Sequence, residues 1–179
     1  LQGCSIRCTG CINPHLFNPA GGMEIDVATI VDGALEAGVE GITLLGGEPF
    51  DQAEACTNLA AASREAGLGV ICFTGFTRES LENDRKARNL IAVVDLLVDG
   101  PYLESQPEDR RALVGSTNQR FIHLTDRYSG YDPRTCRNRV ELRVGPDGSV
   151  ETAGFLTSSD VDRLNRSLST RRVMKRRHC

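Results

Sequence analysis

The sequence predicts an α/β fold in which helices cover a parallel sheet. Three observations carry this. Ile42–Leu45, Val70–Phe73 and Leu96–Val98 are short apolar runs closed by glycine or turn residues, the pattern of strands buried on both faces. The segments between these runs place apolar residues at helical spacing. Short strands alternating with helices of 10 to 15 residues require right-handed crossover connections, which set successive strands parallel.

The elements follow in order. LQGC reads as the end of a first strand whose beginning lies upstream, since the chain opens on Leu1 and its first methionine is Met23. Val27, Ile30, Val31, Ala34 and Leu35 form one face of a helix, with Asp26 placed to cap its start and Gly38 to end it. After the run Ile42–Leu45, Asp51 is placed to cap a second helix through about Glu65, closed by Ala66-Gly67-Leu68-Gly69. The run Val70–Phe73 ends in Thr74-Gly75, a third helix fits Arg78–Leu90, and the run Leu96–Val98 ends in Asp99-Gly100-Pro101. Phe121–Leu124 suits a further strand. Arg139–Arg143 and Ser149–Thr152, joined by Gly-Pro-Asp-Gly, read as a β-hairpin, and an amphipathic helix begins near Ser159. The organisation is a core over residues 1–124 with a C-terminal appendage over 125–179, not an independent domain.

At 179 residues, with 40% hydrophobic and 25% charged side chains, the chain has ordinary globular composition and length for a core without staples. No apolar run approaches the roughly 20 residues that cross a bilayer, and no secretory leader pattern opens the chain, so a cytoplasmic location with reduced thiols is expected. The net charge of −3 conceals an asymmetry: residues 163–179 carry seven basic and no acidic side chains, against 14 basic and 24 acidic before them. A basic end complements a C-terminal helix dipole. Nothing aromatic is interleaved there to stack on bases, so nucleic acid is not an expected partner.

The chemistry concentrates in Gly-Cys-Ser-Ile-Arg-Cys-Thr-Gly-Cys. Cys4, Cys8 and Cys11 stand so near in sequence that converging on one metal centre costs little loop-closure entropy. They leave one position of a four-ligand centre unfilled by cysteine, the kind of opening at which an outside molecule binds and reacts. The spacing also admits a closed Cys3His zinc site with His15, and does not by itself decide between iron-sulfur and zinc. Disulfides fit less well, because seven cysteines is an odd number and Cys56, Cys72, Cys136 and Cys179 are scattered.

Ligands of parallel sheets bind at the carboxyl ends of the strands. That rule gathers LQGC, Gly-Gly-Glu-Pro at Gly46–Pro49 and Thr-Gly-Phe at Thr74–Phe76 along one rim. Two glycines let backbone approach a ligand closely, although the same residues suit a tight turn with Pro49 opening a helical segment. Gly67-Leu68-Gly69 precedes a strand and lacks a third glycine, which excludes a dinucleotide loop; no P-loop and no Ser-His-Asp arrangement is present. Cys56 and Cys72 read as packing residues.

With these motifs assembled, the chain resembles the radical S-adenosylmethionine (SAM) enzymes, and within them the activating proteins of anaerobic ribonucleoside-triphosphate reductase. The resemblance runs through Cys-Ser-Ile-Arg-Cys-Thr-Gly-Cys-Ile-Asn, Gly46–Pro49, Thr74–Phe76, Asp95–Tyr102 and Gly115–Arg120, over roughly residues 1–124. It implies an incomplete parallel (β/α) barrel and a 4Fe-4S cluster held by Cys4, Cys8 and Cys11, with SAM on the fourth iron. Gly46, Gly47 and Glu48 would receive the SAM ammonium, Gly10 and Ile12 would lie along its adenine, and Asn13, Pro49 and Thr74 would complete the cofactor site. Electron transfer into the sulfonium would release methionine and a 5′-deoxyadenosyl radical, which takes hydrogen from a glycine of a partner glycyl radical enzyme. An electron donor such as flavodoxin or ferredoxin is implied. Val114 departs from the family pattern, which commonly carries arginine before this glycine, and residues 126–179 exceed a minimal activase. A radical SAM enzyme acting on a small molecule or peptide, and a zinc-stabilised binding module, are the alternatives.

Overall fold

The structure is a computed structural model that describes residues 1–135, 141–153, 162–164 and 166–167. Strands β1 (Gly41–Leu44), β2 (Gly69–Phe73), β3 (Leu96–Asp99) and β4 (Arg120–His123) form one sheet in that order. The pairs β1–β2 and β2–β3 are parallel, with Ile42 opposite Val70 and Cys72 opposite Leu97. Helix α1 (Val27–Glu36) precedes β1, α2 (Ala53–Glu65) connects β1 to β2, and α3 (Arg78–Leu81) and α4 (Arg85–Ile91) connect β2 to β3. The expected α/β architecture is therefore present. The fourth strand departs from an all-parallel sheet: β4 runs antiparallel to β3, with Leu97 opposite Ile122. Its connection, residues 100–119, contains no helix to carry the chain back across the sheet.

Alternation along the strands sorts two cores. Leu44, Val70, Cys72 and Leu97 face the helices, packing with Val31, Cys56, Leu59, Ala60 and Leu90. Leu96 and Val98 point to the opposite face, where Val114 and the partly buried Ile71, Phe73, Phe121, Tyr128 and Tyr131 cover them. Val114 is fully buried there, so the position at which the family pattern favours arginine is here a core position. Strand β3 is buried on both faces as expected, but β1 is not, because it lies outside β2 and the second cover does not reach Thr43.

Local corrections have local causes. Helix α1 starts after Asp26 and closes at Gly38 with φ +64°, yet the Asp26 carboxylate makes no cap hydrogen bond. The single expected helix over Arg78–Leu90 is broken in two, because the Asp84 carboxylate accepts from Lys86 N and Ala87 N and starts α4 anew. Asp51 does not cap α2; it sits in a 3-10 turn, Pro49–Gln52, that precedes the helix. The hairpin is present as β5 (Glu141–Val144) and β6 (Val150–Ala153), while Arg139 and Val140 lie outside the described residues. So do most of the helix expected from Ser159 and the basic tail. No helix among the described residues is long and apolar enough to cross a membrane.

Leu97 is wholly buried at the centre of the helix-covered face. Leu97→Ala is expected to lower unfolding stability by about 2–5 kcal/mol in urea titrations, the range for truncating a packed core leucine; a loss under about 1 kcal/mol would contradict this packing.

Candidate metal centre

The three cysteines lie on an irregular loop fixed to the carboxyl ends of β1 and β2. Leu1 N donates to Leu45 O at 2.8 Å and Gly47 N donates to Leu1 O at 2.8 Å, the register of a parallel pair. Glu48 N then donates to Gly3 O at 2.8 Å, and Gly3 N to Leu16 O at 2.8 Å. LQGC is not a regular strand, but its backbone runs along the outer edge of the chain leaving β1. This approach explains the second glycine of the Gly-Gly-Glu-Pro turn: a Cβ on Gly47 would collide with the Gly3 carbonyl.

Glu48 ties the turn to its neighbour. The residue is 3% exposed, and its Oε1 accepts from Phe50 N at 3.0 Å and from the Thr74 hydroxyl at 2.8 Å. Its Oε2 accepts from Gly75 N at 3.0 Å. Burial pushes the Glu48 carboxyl above the ordinary carboxylate range, and these three donors only partly offset it. Thr74 is itself buried and accepts from Phe76 N at 3.1 Å, so the Thr-Gly-Phe turn is built around Glu48.

The loop is then held from two further sides. Asp51 accepts from Ser5 N at 2.6 Å and from the Ser5 hydroxyl at 2.7 Å, while the Ile6 side chain lies directly on Gly75. Arg7, at φ +50°, reverses the chain between Cys4 and Cys8. Cys11 N donates to Cys8 O at 3.2 Å, and Asn13 N donates to Cys11 Sγ at 3.4 Å. All three thiols are free and half-buried. Cys8 has its pKa raised by burial; the Tyr102 backbone N–H opposes that, and the neighbouring Cys11 and Cys4 reinforce it.

The expected rim is therefore assembled in part. The cysteine loop, Gly46–Pro49 and Thr74 are joined by the contacts above. Gly10 and the 56%-exposed Ile12 stand on the outer side of the loop, and no hydrogen bond among the described residues joins them to Gly46–Pro49. His15 lies in a separate 3-10 turn, Pro14–Leu16, with an exposed side chain. Sequence reasoning missed Ser5, Asp51 and Ile6 as supports of the loop. A cleft of about 510 Å³ opens beside Cys4, Arg7 and Phe17. A larger one of about 640 Å³, between Arg120 and Arg134, is lined by none of the predicted site residues.

Among the described residues, no three His, Cys, Asp or Glu side chains close on a point that would enclose a single metal ion. A zinc ion draws its ligands to within about 2.0–2.3 Å of one centre, whereas a four-iron cubane takes each thiolate on a different iron and leaves the sulfurs apart. Three free thiols on one short, braced loop are the donor chemistry such a cluster takes. The family described as a 4Fe-4S single cluster domain matches residues 1–122. The chain belongs to this family. An anaerobic ribonucleoside-triphosphate reductase-activating protein of Enterobacteria phage T4 is 29% identical over 133 residues, covering 70% of this chain and 82% of the relative. One from Pasteurella multocida (strain Pm70) is 26% identical over 70% of this chain and 85% of the relative. A pyruvate formate-lyase-activating enzyme of Listeria monocytogenes (serovar 1/2a) is 30% identical over 68% of this chain and 52% of its own length. The resemblance read from the motifs is borne out at the level of this activase family, and the 4Fe-4S cluster with it.

Glu48 has a pH signature. Its folded pKa is raised above the unfolded value of about 4.3. Its contribution to stability is therefore fully present below that value and is lost as pH rises through the raised one. Glu48→Gln presents an amide donor to Gly75 N–H and is expected to cost about 1–3 kcal/mol at neutral pH. Urea midpoints from pH 4 to 8 check both: wild type should fall relative to the variant as pH rises, and parallel profiles would contradict the buried carboxyl.

Proposed function

We propose that this chain is a radical SAM activase that installs a glycyl radical on a partner enzyme of the anaerobic ribonucleoside-triphosphate reductase class. One observation carries the reading: three free thiols are braced at the carboxyl ends of parallel strands, in a chain whose relatives bear the name of that reductase's activating protein.

Cys4, Cys8 and Cys11 would hold the cluster. Bound and reduced, it would supply the electron for cleavage of SAM to methionine and a 5′-deoxyadenosyl radical able to take a hydrogen atom from the partner's glycine. The protein's part is binding and orientation. The Glu48 carboxylate is turned inward onto Thr74 and Gly75, so it fixes the Gly46–Pro49 turn, and the Gly46 and Gly47 carbonyls are the acceptors offered to the SAM ammonium. Ile12 offers the adenine an apolar face on the loop's outer side, with Gly10 and Asn13 flanking it in the chain. An electron donor of the flavodoxin or ferredoxin kind reaches the cluster through the exposed segment around Arg7 and Thr9, in the cytoplasm. The four-stranded sheet is read as part of an incomplete barrel. Residues 125–179 are read as an appendage to it.

Anaerobic reconstitution with iron and sulfide is expected to give a brown protein that, once reduced with dithionite, converts SAM to 5′-deoxyadenosine. Cys8→Ala should lose the visible absorption and the product while keeping the thermal melt. Co-incubation with the reductase should leave a glycyl EPR doublet on the separate polypeptide. Absence of 5′-deoxyadenosine from the loaded wild type would sink the proposal, and product without the doublet would redirect it to another substrate.

A further inference from the structure

The loop after β3 reaches the cysteine cluster. Gly10 stands between Cys8 and Cys11 at φ +75°, and a Cβ on it would lie 3.0 Å from Glu104 Cδ and 3.2 Å from both carboxylate oxygens. An anionic side chain is thus laid on the backbone between two candidate cluster ligands. Glu104 is exposed, and no ion pair of its carboxylate is found among the described residues.

Its position is set from behind by the motif Gly115–Arg120. Ser116, fully buried, accepts from Leu103 N at 3.1 Å through its hydroxyl. Asn118 Nδ2 donates to Pro101 O at 2.8 Å, and Gln119 Nε2 to Gly100 O at 3.4 Å. The motif is itself rigid. Gln119 Oε1 accepts from Gly115 N and Ser116 N, and the Arg111 guanidinium donates to Ser116 O, Thr117 O and Gln119 O. Three side chains of one hexapeptide therefore grip the four residues Gly100–Leu103 that lead into Glu104.

We propose that Glu104 lowers the reduction potential of the cluster, and that Ser116 and Asn118 are positioning residues that hold it against Gly10. A negative charge beside an iron-sulfur centre disfavours added electron density, and charge near the cluster is one of the protein's levers on potential. A lower potential makes the reduced cluster a stronger reductant toward a sulfonium. This rests on the cluster assignment under Proposed function.

The test is an EPR-monitored redox titration of the reconstituted full chain at low ionic strength, where exposed charges are least screened. Glu104→Gln, an exposed near-isosteric change, is expected to move the midpoint to more positive potential at unchanged iron and sulfide content. In a Ser116→Ala or Asn118→Ala background the same change should move it by less than half as much, the coupling of a double-mutant cycle. Thr117→Ala, whose side chain is exposed in the same motif, should leave the full shift in place. An unchanged midpoint in loaded Glu104→Gln, or an equal shift in every background, overturns the proposal while leaving the cluster assignment standing. A wild-type chain that takes up no iron and sulfide overturns both.

Discussion

A buried carboxylate organises the working end of the sheet. Glu48 leaves β1 directly before a proline, enters the protein instead of solvent, and spends its two oxygens on the Thr74 hydroxyl, Gly75 N and Phe50 N. Beyond the last paired residues of β1 and β2, Leu44 and Cys72, Glu48 joins the two turns that follow. The link fixes the spacing of the Gly46–Pro49 and Thr74–Phe76 turns, and the cysteine loop is built on both. Gly3 is bound to the first through Glu48 N, and Ile6 rests on the second at Gly75.

The cysteine loop has little regular structure of its own. Its order comes from neighbours: a short parallel ladder at Leu1–Gly3, the Asp51 clasp on Ser5, and the Tyr102–Glu104 segment near Cys8 and Gly10. At the other end of the strands the joints are made by two carboxylates, Glu40 and Asp95. Arg127 and Tyr128 close on Glu40 at 2.9 and 2.6 Å, and the buried Asp95 accepts from Val70 N at 2.9 Å and from the Thr125 hydroxyl at 2.7 Å.

Much of this was legible in the sequence because strand and helix periodicities are local. The three parallel strands, α1 and α2 fall within a residue or two of expectation, and the strand-end rule placed Gly46–Pro49 and Thr74–Phe76 with the cysteines. What was not legible depends on contacts distant in sequence. Asp51 reads as a helix cap until Ser5 is folded against it, 46 residues away. The paired glycines read as positions of close backbone approach, and the backbone that lies against their Cβ side is that of Leu1–Gly3. Thr43 is exposed because β1 is an edge, a fact of strand order that no local pattern encodes. The break at Asp84 was available as a capping signal inside a helical run and was outweighed by periodicity.

The central claim is that three thiolates leave one iron of a four-iron cluster to an outside ligand. Mössbauer spectroscopy of the iron-57-reconstituted wild type, with and without SAM, tests it most directly. One iron in four is expected to change its isomer shift and quadrupole splitting when SAM is added, the other three staying in place. Four irons that respond alike, or a metal content of zinc without sulfide, would contradict it.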